Sequence, residues 1–262
     1  MNSFQNGQAK RLQGQVAIVT GGAGGIGQAA CQGLMAEGAS VVIVDKSTER
    51  IEQLQQELAQ IGGEGGPETL GLTLDVRKEE EMEAMARLTV EKFGQIDILV
   101  TSAAVLRGAG SLPKPMVKYG VDEWDFVMDI NLKGVFLSNR AVLPNMIQQK
   151  RGTIINMSSV SGRQGRAHDS AYCATKFGVI GFSESVAEEV RQYGIKVQVV
   201  LPDAVDTPIW EQNGPIRPEI SLPPERVGNL IVYLVCLPPD TIISAPIITP
   251  FQTRKRRGAK QE

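Results

Sequence analysis

The chain has 262 residues, 42% hydrophobic and 21% charged, with 27 Lys plus Arg against 29 Asp plus Glu and a formal net charge of -2. That apolar content excludes intrinsic disorder, the glycines follow no collagen period, and the near-neutral balance gives no electrostatic reason to expect nucleic acid or a membrane surface as partner. No run approaches the roughly 18 apolar residues of a spanning helix, and the polar N-terminus lacks the apolar stretch of a secretory signal, so a cytoplasmic location is expected. The three cysteines Cys31, Cys173 and Cys236 fit neither a disulfide framework nor a metal knuckle and read as reduced thiols. His168 is the one histidine, and no metal is expected.

Taken in chain order, short apolar or β-branched runs alternate with segments of helical period. Strands are predicted at Val16 to Thr20, Ser40 to Val44, Thr69 to Leu74, Ile96 to Thr101, Thr153 to Met157, Val197 to Leu201 and, more weakly, Ile247 to Thr249. Helices are predicted at Ile26 to Glu37, Thr48 to Ile61, Lys78 to Phe93, Asp122 to Gln148, Tyr172 to Gln192 and Pro224 to Leu237. Runs such as VAIVT, SVVIV and IDILV need cover on both faces, which a parallel sheet between two helical layers supplies. The expected architecture is therefore α/β: one doubly wound Rossmann domain over residues 1–262, its core about 13–250, with 1–12 and 253–262 as flexible ends.

Between the first strand and the first helix stands TGGAGGIG, Thr20 to Gly27. Glycines there let the backbone lie close to a pyrophosphate, and the helix N-terminus adds free N–H groups and a positive dipole end. Gly21, Gly25, Ile26 and Gly27 are the expected contacts. Asp45 closes the second strand, where a carboxylate accepts from both adenosine ribose hydroxyls and repels a 2′-phosphate. NAD is expected over NADP, with the adjacent Lys46 weighing the other way.

Tyr172 and Lys176 stand four apart at a helix start and share one face. An ammonium beside a phenol stabilises the phenolate, which makes tyrosine a usable general acid/base. Ser159 lies thirteen residues upstream at a strand end, and Asn131 lies inside the long fourth helix.

With TGGAGGIG, Asp45, LDV at Leu74 to Val76, INLKG around Asn131, IINMSS ending at Ser159 and YCATK from Tyr172 to Lys176, the chain resembles the short-chain dehydrogenase/reductase family in its compact form. The resemblance runs from about Gln13 to Leu237. It implies hydride transfer between a nicotinamide and a secondary alcohol or ketone of a small substrate. It assigns Tyr172 as proton donor and acceptor, and Lys176 as its tuner and ribose contact. Ser159 would bind the substrate oxygen, and Asn131 would sustain a water-linked proton relay. Asp75 and Val76 would meet the adenine, Ser102 and Ala103 the cofactor floor, and Val205 with Thr207 the carboxamide. It also implies a homodimer or homotetramer. Apolar positions on several faces of the fourth and fifth helices (Val127, Ile130, Val135, Leu143; Phe177, Ile180, Phe182, Val186) agree with that.

The family usually shows Asn-Asn-Ala-Gly where this chain has Thr101 to Ala104, and Pro-Gly where it has Pro202-Asp203. Ser102 keeps a donor and an acceptor, the Ala104 methyl crowds the cofactor, and Asp203 sets a carboxylate near the nicotinamide end. These departures motivate an alternative, a nucleotide-binding regulatory or scaffold protein with weakened catalysis. The segment from Thr207 to Pro223 is short for a substrate lid, with Ile209, Trp210 and Ile216 as apolar walls. Arg217 reads as a solvated arginine and His168 as a peripheral polar residue. The basic end TRKRRGAKQE reads as a solvated tail.

Overall fold

The run Val16–Thr20 forms β1 with every residue buried, as an apolar strand covered on both faces must be. A computed structural model describes residues 10–108, 110–215 and 217–251. The tail Thr253 to Glu262, the first nine residues and Ile216 lie outside that range. After β1 the chain alternates through α1 (Gly25–Ala36), β2 (Ser40–Asp45), α2 (Thr48–Gly62), β3 (Thr69–Thr73), α3 (Glu79–Phe93) and β4 (Ile98–Thr101). It continues through α4 (Val121–Met128), α5 (Gly134–Gln149), β5 (Gly152–Met157), α6 (Ser170–Val190), β6 (Ile195–Pro202), α7 (Pro224–Val235) and β7 (Ile247–Ile248).

Among the described residues the sheet is parallel throughout, in the order β3-β2-β1-β4-β5-β6-β7. Successive strand residues face opposite sides. Ala17, Val19, Val41 and Ile43 therefore pack on α1, α2 and α7, while Val16, Ile18, Val42 and Val44 pack on α3, α5 and α6. The order reverses between β1 and β4, the place where a doubly wound sheet opens a crevice beyond its carboxyl ends.

Local chemistry sets the element ends. The Ser47 side chain caps α2 by accepting from the Arg50 N–H at 3.3 Å. Gly94, at φ 79°, closes α3 in the left-handed conformation that glycine adopts without strain.

Two expectations are corrected. The predicted helix Asp122 to Gln148 is broken by a five-residue π turn, Asp129–Lys133, which separates α4 from α5 around Asn131. The apolar spacing runs through this turn without a phase change large enough to mark it. Second, the N-terminal end is anchored before residue 13. Leu12 is 1% exposed within the core and its N–H donates to the Glu37 carbonyl at 2.9 Å, while Arg11 pairs with the Glu37 carboxylate.

Candidate active site

A cleft of about 730 Å³ runs along the carboxyl ends of the strands, from Asp45 at one end to the 3-10 turn Pro208–Asn213 at the other. Gly21, Gly25, Ile26, Asp45, Asp75, Val76, Ser102, Ala103, Val205 and Thr207 all line it, together with Ser159, Tyr172 and Lys176. Two predicted contacts do not reach it. Gly27 is buried beneath the loop, where an added Cβ would collide with the Gly21 carbonyl, so its lack of a side chain serves packing. Asn131 is fully buried behind the cleft.

The glycine loop fits a dinucleotide. Gly21 has φ +65°, and a Cβ there would stand 2.5 Å from the Ala103 nitrogen, so the turn after β1 lies against the segment after β4 only through glycine. Gly25 lies beneath Thr207, whose side chain occupies the space of any Cβ. At Gly24 no side chain caps α1, which leaves the amides of its first turn directed at the cleft. The chain thus supplies an anion cradle of the kind a pyrophosphate occupies.

Asp45 braces this loop. Its carboxylate accepts from the Ala23 N–H at 3.2 Å and from its neighbour Lys46 at 2.7 Å. Asp75 is clamped by the Arg77 guanidinium, with Nη2 2.5 Å from Oδ2, and Lys46 Nζ stands 3.9 Å away. Hydrogen bonding from Arg77 holds the Asp75 carboxyl below its ordinary range, so it faces the cleft as a carboxylate already committed to Arg77.

At the other end of the cleft, α6 places Tyr172 and Lys176 one turn apart, with Lys176 Nζ 5.5 Å from the phenol ring centroid. The Lys176 ammonium donates to the Met157 carbonyl at 2.9 Å, at the end of β5. Burial pushes the Tyr172 phenol up to about 12, with Ser159 partly countering it. Burial also pulls the Lys176 ammonium down to about 8. Both shifts disfavour charge. The phenol is thereby a proton donor at neutral pH, and the expected acidification by the lysine is not seen in this state. Ser159 caps the turn Val160–Gly162 by accepting from the Ser161 N–H at 3.1 Å, which fixes its hydroxyl beside Tyr172.

Asn131 works as a brace. Its Oδ1 accepts from the Val105 N–H and its Nδ2 donates to the Val105 carbonyl, both at 2.8 Å, with Thr175 of α6 at 3.3 Å. It ties the segment after β4 to the helix that carries Tyr172. A second buried set joins Thr101, Asn156, Asn139 and Ser183 across β4, β5, α5 and α6.

Sequence reasoning did not single out Arg107, Asp169, Gln212 and Asn213, which close the far end of the cleft. Arg107, 3% exposed, pairs with Asp169 just ahead of α6 and with Asn213 of the lid turn. The Gln212 side-chain Oε1 accepts from the backbone N–H groups of Leu106 and Arg107 at 2.8 and 3.1 Å. Trp210 donates to the Val205 carbonyl at 2.7 Å, which ties the lid turn to the segment after β6. Asp203 is paired as well: Arg166 Nη2 donates to its Oδ1 at 2.9 Å. His168 sits in the same loop with φ 69° and does not line the cleft.

Comparison with known proteins agrees with this layout. The family model for short chain dehydrogenases matches residues 15–217. The chain is 34% identical to the 3-oxoacyl-[acyl-carrier-protein] reductase FabG of Thermotoga maritima, over 86% of this chain and 91% of that protein. It is 30% identical to an uncharacterized oxidoreductase of Staphylococcus aureus, over 91% of this chain and 98% of the other. Among solved structures, levodione reductase superposes with a TM-score of 0.82 at 29% identity, over 91% of this chain and 96% of that one. A metagenomic short-chain oxidoreductase in complex with NADP superposes with a TM-score of 0.79 at 31% identity, covering 93% and 100%.

Proposed function

We propose that this chain, which belongs to the short-chain dehydrogenase family, reduces the ketone of a small substrate, and oxidises the corresponding secondary alcohol, with NAD(H) as cofactor. The observation that carries the reading is the half-buried Tyr172 beside Ser159 and Lys176 at one end of a cleft whose other end is a glycine cradle. The nicotinamide, when bound, supplies or accepts the hydride. In the reductive direction Ser159 and Tyr172 hold the carbonyl oxygen, and Tyr172 delivers the proton that completes the alcohol. Lys176 then balances the phenolate left behind. Asn131 keeps the segment after β4 and the start of α6 at a fixed separation.

NAD is favoured because Asp45 sets a carboxylate at the adenosine end, where a 2′-phosphate would meet it. The opposing observation is that Lys46 and Arg50 line the same end, which favours NADP. Efficiency with each cofactor decides between them. A panel of ketones followed at the nicotinamide absorbance band tests the activity, and a chain that binds cofactor tightly yet turns over none of them would support the regulatory or scaffold reading instead.

A cytoplasmic homodimer or homotetramer completes the proposal. Of the apolar positions expected at a subunit contact, Val127, Ile130, Val135 and Val186 are consumed by the chain's own core. Phe177 is exposed, as is Phe136 on α5, and these two offer the apolar surface to a second copy. Among the described residues no helix is long and apolar enough to cross a membrane.

A further inference from the structure

The substrate end of the cleft combines an apolar wall with charges that are already spoken for. Leu106, Leu112, Ile209 and Trp210 face it beside the hydroxyls of Ser159 and Tyr172. Three carboxylates line the same end, Asp169, Asp203 and Glu211. Apart from Lys176, the cation lining that end among the described residues is Arg166. Each carboxylate has a partner. Arg107 holds Asp169 from below, Arg217 stands 3.9 Å from Glu211, and Arg166 is bound to Asp203 at 2.9 Å.

An anionic group brought in by a substrate would meet three carboxylates, and the one guanidinium at that end is already ion-paired with Asp203. Freeing Arg166 would leave Asp203 unpaired next to the incoming charge, so the new ion pair would be gained only against a like-charge contact. An uncharged ketone asks for none of this. Its body takes the apolar wall, and its oxygen takes the two hydroxyls.

Resting on the proposed oxidoreductase reading, we propose that the site takes uncharged ketones and rejects those bearing a carboxylate or phosphate, and that Asp203 determines this specificity by occupying Arg166. Asp203 stands at the position where the sequence departs from the Pro-Gly of the resemblance, so the departure has a use: it places a carboxylate within reach of the one cation that could recruit an anion. Discrimination by an added repulsive element and a withheld attractive one is a general route to specificity.

The test is the matched pair ethyl acetoacetate and acetoacetate, which share the reacting ketone and differ in charge. Wild type should show kcat/KM for the ester at least about 100-fold above that for the acid, the scale of placing an anion among carboxylates with no free cation to receive it. Asp203→Asn should shrink the ratio at least about tenfold, chiefly by lowering KM for the acid, and adding Arg166→Gln should restore it. Binding is read in parallel by quenching of Trp210 fluorescence in a Trp124→Phe background, with no turnover required.

Wild type that handles the acid as well as the ester overturns the inference, and so does an Asp203→Asn ratio that stays at the wild-type value. Quenching by the ester and not the acid, without turnover of either, supports the charge selectivity and counts against the oxidoreductase reading alone. Failure of both compounds to bind and to react overturns the two together.

Discussion

Lys176 stands 5.5 Å from the Tyr172 ring centroid while its ammonium donates to the Met157 carbonyl at 2.9 Å, so one buried cation is shared between the end of β5 and the Tyr172 phenol. The phenol lies at about 12 and the ammonium at about 8, both displaced by burial. Through the neutral range Tyr172 keeps its proton and Lys176 keeps its charge, the pairing that proton donation to a carbonyl needs. Ketone reduction should therefore hold up to about pH 8 and decline above it as Lys176 loses its proton. Lys176→Arg, whose guanidinium stays charged, should lower the rate but move the alkaline limb upward. A limb that stays in place assigns it to another group.

The same burial has a stability cost. The folded pKa of Lys176 lies below its unfolded value of about 10.4, so the unfolded chain holds more protons between about pH 8 and 10.4, and stability rises with pH through that window. Lys176→Met keeps the bulk and removes the charge. It should raise unfolding stability at pH 7 by on the order of 1–3 kcal/mol while abolishing turnover. Urea denaturation at pH 7 and pH 10 checks this, with the gain smaller at the higher pH.

Arg107 joins Asp169, Asn213 and, through backbone N–H groups, Gln212, and so latches the lid turn to the segment after β4. Arg107→Met leaves Asp169 partly buried without its cation and should cost about 2–4 kcal/mol at pH 7. Burial already raises the Asp169 carboxyl above its ordinary value, and loss of Arg107 raises it further. The penalty belongs to the ionised carboxylate, so it should shrink as pH falls through that raised value. Chemical denaturation at pH 7 and pH 4.5 measures the difference.

At the adenosine end, Asp45→Ser removes the carboxylate that meets a 2′-phosphate. The kcat/KM ratio of NAD over NADP should fall by about tenfold or more, or invert. A wild-type preference for NADP would mean that Lys46 and Arg50 dominate that end. Because Asp45 also accepts from Ala23, a small loss of thermal stability should accompany the change.

Much of this site was legible in the chain because its signals are local. TGGAGGIG between a strand and a helix, an acid closing the next strand, and a tyrosine and lysine four apart each report their geometry through spacing. The Arg107–Asp169 and Arg107–Asn213 contacts span 62 and 106 positions, and a lone arginine in a loop carries no mark of burial. From the sequence alone Asp203 is only a carboxylate near the nicotinamide end, since nothing local connects it to Arg166, 37 positions away. The π turn at Asn131 escaped for another reason: Val127, Ile130 and Val135 remain inward on either side of it, so the apolar pattern fits a continuous helix equally well.

The proton chemistry of Tyr172 is the central claim, and Tyr172→Phe tests it most directly. Phenylalanine keeps the ring and deletes the hydroxyl, so the variant should fold, bind cofactor within a few-fold of wild type, and lose about two to four orders of magnitude in kcat for ketone reduction. A Tyr172→Phe enzyme that matched wild-type kcat on a substrate the wild type reduces would contradict the assignment.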